Sequence, residues 1–187
     1  MHYLMKGQNR IITGIYESPC GTLMLGSLAD RLCLCDWHVG PEHNNRVNGR
    51  LCRMLDAELE EGSSPVIGSA ITQLDEYFAG ARREFDVPLL FAGTDFQRRV
   101  WAALLTIPYG QTISYGELAR RIGMPTAVRA VANANGANAI SIFAPCHRVI
   151  GSDRKLTGYA GGLAAKTFLL QMERAMDGEA LVPPRTL

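Results

Sequence analysis

Three β-like runs within the first 37 residues constrain the fold of this chain more than any other feature. Two tetrapeptides rich in turn-forming residues separate them, Ser18-Pro19-Cys20-Gly21 and Leu28-Ala29-Asp30-Arg31. The runs themselves are Ile11–Tyr16, Leu23–Ser27 and Leu32–Trp37. Because turns this short join neighbouring strands of opposite direction, the pattern predicts an antiparallel meander.

Helical periodicity follows the predicted sheet. One apolar stripe at helical spacing consists of Val47, Leu51, Leu55 and Leu59. A stronger stripe extends from Ile67 to Phe78, and Glu84–Val87 is predicted as a further strand. Together these elements predict a small α/β domain with an antiparallel sheet over residues 1–90, with its boundary near Pro88–Gly93.

Residues 91–176 carry the start and stop signals of helices. Thr94-Asp95-Phe96-Gln97 and Ser114-Tyr115-Gly116-Glu117 both have the form of a capping box. A short helix from about Ala127 to Gly136 follows the second box, so this part predicts a helix-turn-helix. A last helix is predicted over Leu163–Arg174, and residues 177–187 form a tail. The predicted fold class is therefore α+β, with a small N-terminal α/β domain followed by a mostly helical C-terminal domain.

Charge is distributed unevenly along the chain, although the net charge is only +1. Residues 1–94 carry 8 Lys and Arg against 12 Asp and Glu, whereas residues 95–175 carry 10 against 4. The basic part contains the predicted helix-turn-helix, which makes a phosphate-bearing partner a candidate. A solvated basic surface explains the charge alone equally well. No apolar run approaches the roughly 20 residues that a membrane helix needs.

The cysteine content favours free thiols in a reducing compartment. The count is odd, and no apolar run of signal-peptide type precedes Ile11, so we predict a cytoplasmic protein. Cys33 and Cys35 lie two apart in a strand-like run, and their spacing to the other cysteines and histidines matches no zinc pattern. Packing within a strand is the favoured interpretation, and we predict neither a metal site nor a cofactor.

The pentapeptide Pro145-Cys146-His147-Arg148-Val149 is the strongest chemical signal. It places a thiol beside two groups that are or can become cationic, inside the apolar stretch Ile140–Ile150. A thiol attacks as the thiolate, which nearby cations favour. If this segment is extended, neighbouring side chains point to opposite faces, so His147 would act through a water or another part of the fold. The alternative is an inert buried cysteine.

The second helix of the helix-turn-helix has unusually small side chains. They are Ala127, Ala130, Ala132 and Ala134, and the only charged residue among them is Arg129. Major-groove readers usually present long polar side chains to base edges. A helix this narrow suits close approach to a minor groove with Arg129 as the one long probe. Alanines that pack helix against helix are the alternative, which explains Arg129 less well.

Three motifs together resemble the O6-alkylguanine-DNA alkyltransferase (methylated-DNA–protein-cysteine methyltransferase) family over about Thr94–Glu173. The motifs are Pro145-Cys146-His147-Arg148-Val149, Arg129-Ala130-Val131 and Asn135-Gly136-Ala137-Asn138. The N-terminal meander is similar to the family's more variable first domain. The resemblance implies a repair protein that flips a damaged guanine out of double-stranded DNA and takes its alkyl group irreversibly onto Cys146. The same reaction on O4-alkylthymine is an open possibility.

The resemblance also implies a role for individual residues. His147 would act as a base through a bridging water, oriented by Glu173. Tyr115 would donate a hydrogen bond to the departing purine, and Arg129 would fill the gap that the flipped base leaves in the duplex. The remaining DNA-facing residues would be Ala127, Ala130 and Ala134. The pocket and its supports would be Asn138, Ser141, Pro145, Arg148, Val149, Tyr159, Ala160 and Gly161.

Further expectations concern partners and departures from the family. The implied protein is a monomer that binds DNA through the minor groove without sequence specificity and needs no metal or cofactor. Ala139 stands where many members have proline, and Ser141 stands where some members have a pocket-lining proline. The cysteine at 146 distinguishes the chain from the alkyltransferase-like proteins that bind lesions without reacting. Two other classes stay open on the residues alone: a non-enzymatic helix-turn-helix module, and a cysteine hydrolase that uses Cys146 and His147.

Overall fold

A four-stranded sheet and two helices make up the first half of the chain in the computed structural model, which describes residues 9–153, 156 and 158–175. The elements are β1 (Asn9–Ser18), β2 (Gly21–Leu28), β3 (Arg31–Trp37), α1 (Pro41–Leu55), β4 (Ala57–Glu61) and α2 (Pro65–Phe78). The strand order is β3-β2-β1-β4. The first three strands are antiparallel, joined at Ser18–Gly21 and Leu28–Arg31, which confirms the predicted meander.

Two predicted elements of this half are wrong. Leu59 lies in β4, which pairs parallel with β1, and not in the preceding helix. That helix ends at Asp56, whose φ of 45° is left-handed and whose N–H bonds back to the carbonyl of Cys52. Residues 84–87 form no strand, because the N–H of Asp86 donates to the Gln73 side chain of α2. The chain returns to the sheet only at Leu89, which forms an isolated bridge with Leu32.

The second half is mostly helical, as predicted. Its elements are α3 (Asp95–Leu104), β5 (Ile113–Ser114), α4 (Tyr115–Arg121), α5 (Val128–Gly136), a 3-10 turn (Cys146–Arg148), β6 (Val149–Ile150) and α6 (Gly162–Ala175). Thr94 and Gln97 form the full capping box. Ser114 forms only half of one, since its hydroxyl accepts from the N–H of Glu117 while the Glu117 carboxylate pairs with two arginines of α4. The predicted tail, residues 177–187, lies outside the described residues.

The two halves share a hydrophobic core. The largest buried cluster joins Leu25 and Trp37 of the sheet to Phe143 and to Leu169 of α6. The backbone continues this contact, because the N–H of Cys35 donates to Ala139 at 2.8 Å and the carbonyl of Cys35 accepts from Ser141 at 2.6 Å. These two hydrogen bonds hold the segment that leads to Cys146 against the outer edge of β3. They also satisfy the buried N–H and carbonyl groups of Cys35.

Candidate active site

Cys146 begins a 3-10 turn, where its backbone bonds hold it from both sides. The N–H donates to the carbonyl of Ala144 at 2.7 Å, and the carbonyl accepts from the N–H of Val149. The side chain is 5 % exposed. The extended conformation considered for this segment is therefore wrong. In the tight turn, the side chains of Cys146, His147 and Arg148 point in three different directions, and each reaches separate partners.

The loop before the cysteine is braced by one side chain. Asn138 donates to the carbonyl of Ala144 at 2.9 Å and accepts from the N–H of Ile140 at 3.0 Å. Within this loop Ile142 has a φ of 71°, a left-handed conformation that a β-branched residue rarely adopts. A strained residue persists only where its surroundings determine it, and such residues gather at functional sites. The structure therefore shows a loop whose shape is imposed by tertiary contacts.

Glu173 of α6 is the centre of a buried hydrogen-bond network, with a side chain only 1 % exposed. Its carboxylate accepts from Tyr77 Oη at 2.7 Å, His147 Nε2 at 2.8 Å, Arg148 Nη2 at 2.9 Å and the Gly110 N–H at 3.1 Å. Burial alone would raise the pKa of Glu173, but the hydrogen bonds from His147 and Arg148 overcome it and lower the pKa to about 2. The carboxylate is thus ionised, with Arg148 as its counter-ion.

His147 is oriented for use as a base. Its ring is fully buried, and burial lowers the pKa of the imidazole despite the opposing effect of Glu173. The neutral ring donates from Nε2 to Glu173, so Nδ1 carries the lone pair. Nδ1 has no hydrogen-bond partner among the described residues. General-base catalysis requires a histidine that a carboxylate holds in one tautomer and whose other nitrogen can accept a proton. His147 has this arrangement.

The thiol is not ionised by its surroundings alone. Burial raises the pKa of Cys146, while the nearby polar groups of Asn138 and Ser141 and the charge of Lys166 lower it only in part. Lys166 is fully buried, donates to the carbonyl of Val149 at 2.7 Å and lies 6.0 Å from the centre of the Tyr159 ring. Because the thiol keeps its proton at rest, a reaction at sulfur needs a base. Lys166 was not predicted from the sequence.

The segment that contains Tyr159, Ala160 and Gly161 packs on the N-terminal sheet. The Tyr159 ring meets the Trp37 ring edge-on at 5.7 Å. A Cβ atom on Gly161 would come within 2.4 Å of Trp37 Cδ2, so only glycine fits at this position. Trp37 was not predicted as a site residue, yet it holds this segment against the sheet through Tyr159 and Gly161. Ser141 and Pro145 are both buried in the loop that precedes Cys146.

The helix-turn-helix presents part of its predicted DNA face to solvent. Arg129 and Ala130 are exposed on α5, Ala127 is half-buried at its start, and Tyr115 is half-buried at the start of α4. Ala134 is different, because it is 3 % exposed and packs in the core cluster with Val100 and Trp101 of α3. Its side chain cannot belong to the exposed face, so the predicted contact of Ala134 with DNA is not supported.

None of the described His, Cys, Asp and Glu side chains gather in threes where a metal ion would be held. Each helix within the described ranges is too short or too polar to cross a membrane. Cys146, His147, Glu173 and Lys166 supply a thiol, a neutral imidazole, an ionised carboxylate and a buried ammonium group.

The buried Glu173–His147 pair predicts a loss of stability in acid. The unfolded pKa of His147 is 6.5 and its folded pKa is lower, so this contribution decreases as pH falls below 6.5. The unfolded pKa of Glu173 is 4.5 and its folded pKa is about 2, so its contribution is complete above 4.5 and is lost toward pH 2. From this shift we expect Glu173 to contribute about 3 kcal/mol. Urea unfolding at a series of pH values measures it, and a free energy of unfolding that stays constant down to about pH 2 contradicts it.

Comparisons with known proteins agree with this geometry. Residues 95–175 match the family model of the 6-O-methylguanine DNA methyltransferase DNA-binding domain, and residues 11–91 match that of its ribonuclease-like domain. The chain is similar to a methylated-DNA–protein-cysteine methyltransferase of Mycobacterium leprae, with 57 % identity over 161 residues, 84 % of this chain and 89 % of that protein. A Bacillus subtilis relative with the same activity in its name is 52 % identical and covers 84 % of this chain and 92 % of its own.

The Mycobacterium tuberculosis relative is 61 % identical over 106 residues, which cover 57 % of this chain and 64 % of that protein. The chain thus spans about two thirds of the length of that relative. A solved structure of the Mycobacterium tuberculosis protein OGT in complex with DNA superposes with a TM-score of 0.74 at 43 % identity, covering 88 % of this chain and 94 % of that one.

Proposed function

The chain belongs to the O6-methylguanine DNA methyltransferase family, and from this premise we propose that it repairs O6-alkylguanine in double-stranded DNA by transferring the alkyl group to Cys146. The observation that carries the proposal is the buried His147–Glu173 pair next to Cys146 in a chain whose helix-turn-helix exposes Arg129. The protein acts as a monomer in the cytoplasm on chromosomal DNA, and O4-alkylthymine is a second possible lesion.

The chemistry begins with the proton of the thiol. His147 Nδ1 accepts the Cys146 proton through one water, and the ionised Glu173 stabilises the imidazolium that forms. The ammonium group of Lys166 stabilises the thiolate at the same time. Because Tyr77 and Arg148 already satisfy the Glu173 carboxylate, the relay needs no rearrangement before this step.

Alkyl transfer follows as a displacement at carbon. The thiolate sulfur forms a bond to the alkyl carbon, the carbon–O6 bond breaks, and its electron pair remains on the purine. A hydrogen bond from Tyr115 offsets this negative charge until the guanine takes up a proton from water, and the His147 imidazolium releases the former thiol proton to solvent, so that the charges balance. The product is a thioether with no good leaving group, so each chain reacts once. The chain's own residues account for every step without a cofactor.

Access to the lesion requires base flipping, because O6 lies at the major-groove edge of the guanine and the protein is proposed to approach from the minor groove. The exposed Arg129 at the start of α5 occupies the gap in the duplex, and the neighbouring small side chains allow the helix to approach the minor groove closely. Contacts of this kind are largely independent of sequence, which suits a protein that must inspect any guanine.

A nucleoside assay tests the proposed reaction. The protein is incubated with a duplex that contains one O6-methylguanine, and the DNA is then digested to nucleosides. We expect O6-methylguanine to be replaced by unmodified guanine in an intact strand. Persistence of the lesion in a bound complex would favour the non-enzymatic DNA-binding module, and no observation on the described residues favours the cysteine hydrolase.

Substitution of the proposed gap-filling residue, Arg129→Ala, is expected to slow repair of duplex DNA about 10- to 100-fold. Unstacking a base costs a few kcal/mol, which Arg129 offsets by filling the gap in the duplex. Each 1.4 kcal/mol of this stabilisation that is lost slows repair about tenfold. The reaction with free O6-benzylguanine, which needs no flipping, should be affected far less. Single-turnover rates on both substrates measure the difference.

The matched control is Arg31→Ala, which removes the same charge from an exposed turn of the N-terminal sheet. It should leave both rates unchanged. Equal losses on duplex and free base in the Arg129→Ala protein would rule out the gap-filling role.

A further inference from the structure

A basic stripe on α1 lies beside the helix-turn-helix although it belongs to the acidic half of the chain. The residues are His43, Arg46, Arg50 and Arg53, spaced so that all four fall on one side of the helix. The described residues place no carboxylate within 4.0 Å of the three arginines, whereas Arg10, Arg82, Arg98, Arg120 and Arg121 each have one. Ordinary surface pairing therefore does not explain this stripe.

The stripe and the end of α5 enclose a groove of about 270 Å³. The α1 side contributes His43, Arg46 and Arg50, and the α5 side contributes Asn133, Gly136 and Ala137. Arg50 connects the two sides, because its Nη2 donates to the carbonyl of Ala137 at 2.6 Å while its Nε has no partner among the described residues. Its guanidinium also lies 6.0 Å from the centre of the Trp101 ring.

The acidic group in this groove is already engaged. Asp36 is 4 % exposed, and its Oδ2 bonds to His43 Nε2 at 2.7 Å. Burial raises the pKa of this carboxyl despite the opposing effects of His43 and Arg50. The other ring nitrogen of His43 lies 3.1 Å from Arg46 Nη2. The Arg46 side chain is exposed, and with Arg50 it makes the open side of the groove cationic.

The groove continues the face of α5 that carries Arg129. Arg129, Asn133 and Gly136 are spaced by four and three residues, and all three are exposed. Seven residues of helix correspond to about 10 Å, which is the length of about three nucleotide steps along one strand. Gly136 leaves this path open, since a Cβ atom there would meet nothing within 4 Å. An object that lies along the exposed face of α5 therefore reaches the groove.

We propose that the groove between α1 and the end of α5 binds a phosphate of the DNA backbone through Arg46 and Arg50, which extends the DNA-binding surface onto the N-terminal half. This inference rests on the proposed function for the identity of the polyanion. Arg50 also holds the end of α5, so Arg46, which makes no contact with α5 backbone, is the residue that isolates the phosphate contact.

The test is the salt dependence of binding to an undamaged duplex by the full chain. Loss of one phosphate contact in Arg46→Ala should reduce the slope of log K against log salt by about 0.9 and weaken binding to all sequences alike. Arg46→Glu should weaken it further. The exposed Arg31→Ala protein is the matched control and should keep the wild-type slope. An unchanged slope in both Arg46 variants overturns the proposal.

Two further arms identify the source of the phosphate and separate this inference from the proposed function. Inorganic phosphate should compete no better than another salt of equal ionic strength; strong competition that depends on Arg46 would indicate a small-anion site and overturn the DNA assignment. Reaction of the wild-type protein with a duplex that contains O6-methylguanine is measured in parallel. Failure of that reaction contradicts the proposed function, while normal reaction with an unchanged slope contradicts only the groove.

Discussion

Cys146→Ala protein is expected to bind a methylated duplex and take up no alkyl group. Three of the other cysteines offer no substitute nucleophile, because burial raises the pKa of each thiol: to about 11 for Cys20, to about 12 for Cys33 and well above its ordinary value for Cys35. None of them has a histidine held by a carboxylate as Cys146 has. Uptake should therefore fall below detection, and intact-protein mass after incubation with the lesion measures it.

The matched control for this substitution is Cys20→Ala, which removes the half-buried thiol near Tyr159 and leaves Cys146 in place. It should accept one alkyl group as the wild type does. Alkylation of the Cys146→Ala protein, or loss of uptake in the Cys20→Ala protein, would show that the acceptor is a different residue.

Glu173→Gln is expected to cause the largest loss of stability of the substitutions considered, about 3 to 5 kcal/mol. It removes the negative charge that balances the buried guanidinium of Arg148. It also removes an acceptor from a carboxylate that serves four donors in three other parts of the chain. Alkyl transfer should fail as well, because His147 loses the group that fixes its tautomer. Urea unfolding and the free-base reaction measure the two effects.

Glu117→Gln is the matched control for the stability measurement. Glu117 also accepts from two arginines, Arg120 and Arg121, but on the exposed surface of α4. Exposed ion pairs contribute about 0 to 1 kcal/mol. If both substitutions cost the same, the Glu173 network does not hold the site together in the way the structure indicates.

Local signals in the sequence were sufficient for much of the fold. The Ser18–Gly21 and Leu28–Arg31 turns fix the register of the first three strands, and the capping box at Thr94 fixes the start of α3. These features depend on residues within a few positions of one another, where turn chemistry and capping act. Leu59 was misassigned because a left-handed residue at Asp56 ends the helix within an apolar pattern that continues at helical spacing.

Site residues could be predicted from the sequence only where they lie in one short motif or in a resemblance to a family. The motif gave Cys146 and His147, and the resemblance implied Glu173. The sequence did not predict three further residues, Tyr77, Trp37 and Lys166. Their sequence surroundings are those of ordinary core positions, and only tertiary packing brings them to the site from α2, β3 and α6. Ala134 was placed on the wrong face because a run of alanines shows no contrast between buried and exposed sides.

Cys146 is proposed to be an alkyl acceptor that reacts once. The most direct test is intact-protein mass at increasing molar excess of a duplex that contains O6-methylguanine, followed by mass mapping of the peptides. We expect a gain of one methyl group per chain, on the peptide that contains Cys146, with no further gain at any excess and no more lesions repaired than chains present. Repair that exceeds the number of chains, or a methyl group on another residue, would contradict it.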